Sequence, residues 1–429
     1  MSDLRAIDAT EIARRVGAGE VSALEVVEAH LAAAAEADVL NAVVTWTGER
    51  ALARARARVT GPLAGVPLLV KDLFDTAGVR TAYGSSIFRD HVPDRTAEAV
   101  VRLEQAGAIT IGKANLHEFA WGTTSQNPHW GDVGNPVRPG RTPGGSSGGN
   151  AAALAAGVSA LGLGTDTGGS VRMPAACCGV VGFKPGHGVV PIGGCFPLSP
   201  TFDHVGPLAR SARDCALAYA VLARRPLATA RAAGLRVGLL DEGPRISAHE
   251  PSGAASAAAG GVDSAWADDV VARLEALGAR VAPVSLPEPD ASVVPIFLHE
   301  SAVTHRRLFP ARRDEYGPDT RLKFDAARAV PAIDVHEARL ALPAWRARCA
   351  RELEVDLLVS PTLGIEPPPA DVWEPDVRVE MTMRTRPFNQ LGWPAIALGD
   401  LQLAGLDDLT VLGLALAWEE AYGPPGRPA

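Results

Sequence analysis

Residues 142–176 read TPGGSSGGNAAALAAGVSALGLGTDTGGSVRMPAA, a stretch in which Asp166 and Arg172 are the only charged residues. Two glycine-flanked serine clusters, Gly144–Gly149 and Gly168–Ser170, stand on either side of a run of small residues. The run predicts a helix from about Asn150 to Ala156. SALGLGTD predicts a buried strand behind it, as a short apolar run without helical periodicity does. Three chemistries compete for the clusters. A phosphate-binding loop ends in Gly-Lys-Ser/Thr, and neither cluster has a lysine beside it. Gly144 to Gly148 satisfies G-x-S-x-G, yet a nucleophile elbow needs a strand running into its serine, and NPVRPGRTP precedes this one. The plainest reading makes the glycines turns and lets Ser147 or Asn150 cap the helix. That reading leaves Thr167–Ser170 unexplained. Successive residues without bulky side chains, directly after a strand, can form a nest of N–H groups able to hold a developing oxyanion.

Working outward, PLAGVPLLVKD (62–72) predicts a buried strand ending at Lys71, RTAEAVVRLEQAGA an amphipathic helix, and ITIGKAN another strand. The first 60 residues predict helices, one capped by Asp8 and one opened by a Ser22/Glu25 capping box. Glu118–Pro143 predicts loop. Further on, AAGLRVGLL, RVAPVSLP, DLLVSPT, WPAIALG and LQLAG predict strands among helical segments, while His249–Ser264 predicts a small-residue loop. This alternation predicts an α/β layer architecture with a mostly parallel or mixed sheet.

Composition narrows the function. The chain has 429 residues, is 47% hydrophobic and carries a formal charge of −8. A mild acidic excess without a basic block argues against nucleic acid as the main partner. No apolar stretch is long enough to span a bilayer and the N-terminus lacks a signal-type core, so a soluble, cytoplasmic protein without membrane attachment is expected. The five cysteines show no paired spacing and no C-x-x-C, which supports neither a metal site nor a redox motif. Of 41 basic residues only Lys71, Lys113, Lys184 and Lys323 are lysines. Arginine and lysine differ chemically, so each of these positions draws interest.

The glycine–serine block, GLGTDTGGSVRMPAA and CGVVGFKP together resemble the amidase signature family of serine hydrolases. The match extends through GVPLLVKD, IGKANLHEFAWG and FPLSPTFDHVGPLARSARD, with weaker echoes in DLLVSPT and FNQLGWPAIAL. The resemblance implies an amidase-signature fold, a central mixed β-sheet covered on both faces by α-helices. It implies one domain over residues 1–429, with a signature core at about 62–215 and a variable substrate-pocket region at about 216–429. It also implies a Ser–Ser–Lys triad: Ser170 as nucleophile, Ser146 as bridging serine in a cis peptide, and Lys71 as base. The small-residue helix then packs closely enough to bring both serines to one site. The amides of Thr167, Gly168, Gly169 and Ser170 are expected to form the oxyanion hole, with Asp166 and Arg172 as a supporting ion pair. Trp121, Gly122, Thr123, Phe196 and Trp393 are expected to bind substrate. No metal or cofactor is implied.

The expected reaction is hydrolysis of a carboxylic amide through a seryl acyl-enzyme, releasing ammonia or an amine. Carbamate or aryl-acylamide hydrolysis is one alternative, and the glutaminase (A) subunit of a tRNA-dependent amidotransferase is another. The loop GTTSQNPHWGDVGNP (122–136) is more similar to stand-alone amidases than to that subunit. A small-molecule amide is the expected partner, with a homodimer left open. Lysine acts as a base only when neutral, which burial promotes, and Lys71 ends an apolar run. Asp72 is expected to point away from it. Lys113 and Lys184 compete as base and Ser147 as relay. His117, His129, His187 and His204 have no carboxylate spaced to orient them. The connection near Asp400 is shorter than the family's. Either the cleft is more open for it, or the region around Ala291–Pro331 reshapes the pocket.

Overall fold

The computed structural model describes residues 4–33, 38–240 and 262–426. Most of the expected His249–Ser264 loop lies outside them. Among the described residues, eleven strands form one mixed sheet in the order β1-β3-β2-β4-β6-β5-β10-β11-β9-β7-β8. In chain order these are β1 Val43–Trp46, β2 Pro67–Lys71, β3 Ile109–Ala114, β4 Leu161–Asp166, β5 Val181–Lys184, β6 His204–Ala209, β7 Arg236–Leu240, β8 Arg280–Val284, β9 Leu357–Pro361, β10 Ala395–Leu398 and β11 Leu401–Gly405. β2 is parallel to both β3 and β4, and β7 to both β8 and β9, while β4, β6, β5, β10 and β11 run antiparallel in succession. The β5–β10 pairing joins the strands of the signature segment to those contributed by the variable one.

Strand alternation explains how helices cover both faces. Successive side chains point to opposite sides. Leu68, Val70, Leu161, Leu163, Val205 and Ala209 pack with Val100, Leu103, Ala212, Ala216, Leu412 and Ala415 of helices 98–105, 212–223 and 408–422. The opposite face presents Leu69 to Ala152 and Ala153, and Leu208 and Ala397 to Ala151, Leu154 and Ala175, from helices Gly148–Ala155 and Arg172–Cys177. Lys71 shares a side of β2 with Leu69, so the alternation aims it at the start of helix Gly148–Ala155.

Local chemistry departs from expectation in several places. The Ser22/Glu25 capping box forms as read. Asp8 occupies the N-cap of helix Ala9–Ala18 but its side chain makes no cap bond. The carboxylate of Asp214, more than 200 residues away, accepts from the amides of Ala9 at 3.0 Å and Thr10 at 2.8 Å instead. A distant residue can do this because helix 212–223 packs against the first helix. Asp214→Ala is therefore expected to destabilise the protein by ~2 kcal/mol, the scale of charge-assisted bonds to orphan helix amides, and by more than Asp8→Ala. Urea unfolding of the two variants checks the order.

The first 60 residues also contain β1, four half-buried residues that pair antiparallel with β3 at the sheet edge. The shortened connection near Asp400 closes as a two-residue hairpin, with Leu398 opposite Leu401 and Gly399 at positive φ.

Candidate active site

β2 and β4 lie side by side, and both end at the same edge of the sheet, with Lys71 closing one and Asp166 the other. Ligands of open α/β sheets gather beyond such carboxyl ends. Helix Gly148–Ala155 lies over this edge because β4 offers no side chain at Gly164. A Cβ there would fall 2.9 Å from Ser147 Oγ and 2.8 Å from Leu208 Cδ1. Asn150 does not cap the helix; its amide donates to Leu69 O at 2.9 Å and ties the helix to β2. Ser147 occupies the N-cap position without a cap bond, its hydroxyl being engaged at Lys71.

Lys71 is fully buried. Its Nζ lies 2.7 Å from Ser146 Oγ, 2.9 Å from Ser147 Oγ and 2.8 Å from Thr165 Oγ1. Burial pulls its pKa down from 10.5 to about 7. The Gly145–Ser146 peptide is cis. Asp72 does point away, pairing with Lys113 at 3.2 Å and accepting from the Ala82 amide.

All four lysines are buried, and their partners separate them. Lys113 meets Asp72, and Lys323 meets Asp319 at 2.8 Å and Glu374 at 3.1 Å, while Lys184 donates to the carbonyls of Pro185 and Trp393. Burial lowers the pKa of Lys113 and, further, of Lys184 as well as that of Lys71, so the partners make the distinction: carboxylates and carbonyls only accept hydrogen bonds, whereas hydroxyls can also donate back to a neutral amine. The hydroxyl-only surroundings of Lys71 suit a base.

Ser170 follows a loop that is pinned from below. Asp166 accepts from the amides of Gly169 at 2.8 Å and Val171 at 3.1 Å, and pairs with Arg172 at 2.9 Å, both side chains fully buried. Arg172 also donates to Thr385 O, Gln402 Oε1 and Asn389 Oδ1. Burial pushes the Asp166 carboxyl up, but Arg172 and Asn389 outweigh it and hold the group below the usual carboxylate range. The Gly169 amide is thus occupied. Among the described residues, the amides of Thr167, Gly168 and Ser170 have no acceptor, and all three residues line the cavity. The loop is steadied further by Thr167 Oγ1, which donates to Asp203 at 2.6 Å, and by Thr385, which donates to Gly168 O at 2.6 Å.

Gly169 sits at φ 130°, and a Cβ there would fall 2.2 Å from Thr385 Oγ1. Gly169→Ala is expected to cost ~2 kcal/mol or more from backbone strain and crowding and to lower kcat at least tenfold through displacement of the loop. Thermal unfolding and steady-state kinetics on the same sample check both.

A narrow cavity opens above Ser170. Thr167, Gly168, Gly122 and Thr123 line it, with Met173, Leu198, Phe202, Val294, Phe297, Leu298, Arg378, Thr382, Arg386 and Gln390. Three expected lining residues are absent. Trp121 is fully buried one layer back, edge-on to Phe297 and Phe324. Phe196 stacks among Tyr83, Phe119 and His305. Trp393 packs in the cluster behind Phe202. Aromatic residues next to a motif are more readily core than contact surface, since each buries a large area.

The hairpin turn at Gly399–Asp400 is not among the residues that line the cavity. Helix Val294–Thr304, from the region expected to reshape the pocket, supplies three wall residues. Two histidines do have carboxylate partners that local spacing could not reveal: His117 with Asp319 at 2.7 Å and His129 with Glu118 at 2.8 Å. His117, His129, His187 and His204 are all outside the cavity lining. Burial pushes the Cys177 thiol up to about 12, which leaves it inert.

Comparison with known proteins agrees with this architecture. The family model described as Amidase matches residues 25–411. The A subunit of glutamyl-tRNA(Gln) amidotransferase from Deinococcus radiodurans is 40% identical over 311 residues, 68% of this chain and 62% of that protein. The chain spans about half the length of the curated relatives it matches, from 45% to 62% in the two first compared. A solved structure described as an amidase superimposes with TM-score 0.83 at 33% identity, covering 97% of this chain and 99% of the other. The peptide amidase of Stenotrophomonas maltophilia does so with TM-score 0.79 at 26% identity, over 99% and 98%. A family match over nine-tenths of the sequence and a shared architecture from end to end place this chain in the amidase signature family.

Proposed function

We propose that this protein is a stand-alone amide hydrolase that works through a seryl acyl-enzyme. One observation carries the reading: a fully buried lysine whose pKa lies near 7, surrounded by hydroxyls at the foot of a cavity that Ser170 lines. Ser170 attacks the amide carbonyl, and its proton passes through Ser146 to Lys71. The oxyanion settles on the amides of Thr167, Gly168 and Ser170. Lys71, now charged, returns the proton through Ser146 to the departing nitrogen, and water cleaves the ester by the same relay. Asp166 and Arg172 keep the nucleophile loop in position.

The names of the curated relatives favour a second reading, the glutaminase component of a tRNA-dependent amidotransferase. Superposition on amidase structures along their whole length supports the stand-alone reading. The purified chain, assayed alone for ammonia or amine release from aliphatic amides, aryl amides, carbamates and glutamine, separates them. Turnover of an amide or carbamate without any partner is the expected result. Glutamine hydrolysis appearing only with added amidotransferase subunits and tRNA would establish the alternative.

A further inference from the structure

We infer that Lys323 is a positioning residue for the cavity wall, acting on Gly122 and Thr123 through the Trp121 carbonyl and Glu374; the inference rests on the amide-hydrolase reading above. The proton relay uses Lys71 and leaves Lys323 without a part. Yet Lys323 is buried too, and its partners lead to the same cavity. An ammonium has three N–H groups to place. Lys323 donates to three acceptors from three segments. They are the main-chain carbonyl of Trp121, Asp319 at 2.8 Å one turn back on helix Pro318–Arg328, and Glu374 at 3.1 Å, which opens helix Glu374–Thr382.

Glu374 passes the constraint on. Its Oε2 takes the Lys323 bond, while its Oε1 accepts from the Thr123 amide at 2.9 Å, the Thr123 hydroxyl at 3.0 Å and Arg378 at 3.0 Å. Burial pushes the Glu374 carboxyl up, but Lys323 and Arg378 outweigh it and hold the group below the usual carboxylate range. Gly122 is confined by the same cluster. A Cβ there would fall 2.2 Å from the ring of His117, whose Nε2 meets Asp319 at 2.7 Å. Gly122, Thr123, Arg378 and Thr382 line the cavity together with Ser170. Two segments of the wall thus hang on one buried carboxylate, and Lys323 fixes that carboxylate. Such a cluster is a poor source of stability, because desolvation of the buried charges offsets their attraction. It specifies position instead, and turnover is sensitive to a misplacement of about 1 Å.

The test separates the wall from the nucleophile. Glu374→Gln keeps the size of the side chain, but its single oxygen can serve Thr123 or Lys323 and not both. Lys323→Met removes all three bonds. For each variant, kcat/KM is measured with the amide that the wild type turns over fastest in the panel above. The rate of reaction with diisopropyl fluorophosphate, which draws on Ser170 and the relay, is measured in parallel at a temperature where unfolding curves show both variants folded. In both variants kcat/KM is expected to fall at least about tenfold, while the labelling rate stays within about threefold of the wild type. Parallel loss of turnover and labelling, as a merely structural role would give, overturns the inference. So does undiminished kcat/KM in Glu374→Gln. Should Lys323→Met fail to fold, Glu374→Gln alone carries the test. A wild type that turns over nothing in the panel overturns the amide-hydrolase reading itself.

Discussion

Ser170→Ala is expected to lower kcat by about 10⁴-fold or more while leaving the fold intact. On the mechanism proposed above, the variant loses the nucleophile, and serine hydrolases stripped of theirs lose activity on this scale. The fold survives because Ser170 sits at the cavity floor, 7% exposed, and the loop around it is pinned by Asp166, Asp203 and Thr385. Ser146→Ala should cost less, about 10²–10³-fold, because Lys71 keeps its contacts with Ser147 and Thr165 and general-base assistance is worth that much. Stopped assays on an activated aryl amide, with unfolding curves for both variants, check the order. Equal losses would mean that the two serines act as one unit.

Lys71→Met carries the second large effect, and its pH behaviour is specific. In the wild type kcat/KM should rise about tenfold per pH unit below 7 and level off above it, because only the neutral amine accepts a proton. Lys71→Met should lose at least about 10³-fold and this limb with it. Stability should move as well. The folded-state pKa, about 7, lies below the ordinary value of 10.5, so between these limits the unfolded chain binds more protons and stability rises with pH. Below pH 7 both states are charged and the burial penalty is present in full. Relative to Lys71→Met, the wild type should therefore gain ~3 kcal/mol between pH 7 and 9.5. Urea titrations of both proteins at the two values measure it. A constant difference would mean that Lys71 remains charged in the native state.

These residues were legible because they lie in contiguous segments whose local chemistry is distinctive: an apolar run ending in lysine, and serines among glycines. The strand and helix assignments from Pro67 to Asp166 rest on the same local signals and hold in the structure. What escaped reading depends on distant packing. Asp214 caps a helix that begins with Ala9, a substitution for Asp8 that no local pattern encodes. The cavity wall draws on helix Val294–Thr304 and on residues 378–386, segments with no motif of their own. Trp121, Phe196 and Trp393 looked like contact residues because they adjoin motifs, but side chains of that size serve the layers behind the wall. The buried cluster of Asp319, Lys323 and Glu374 is likewise assembled from separate helices. Its only trace in the sequence was the rarity of lysine.

The central claim is that Ser170 is a nucleophile activated by a neutral Lys71. The most direct measurement is the rate of covalent labelling by an activated fluorophosphonate as a function of pH, with mass spectrometry of the labelled peptide. The account predicts a single adduct on Ser170, formed at a rate that rises with pH about a midpoint near 7, absent in Ser170→Ala and strongly slowed in Lys71→Met. An adduct on Ser146, or labelling of Ser170 at a rate indifferent to pH and to Lys71, would contradict it.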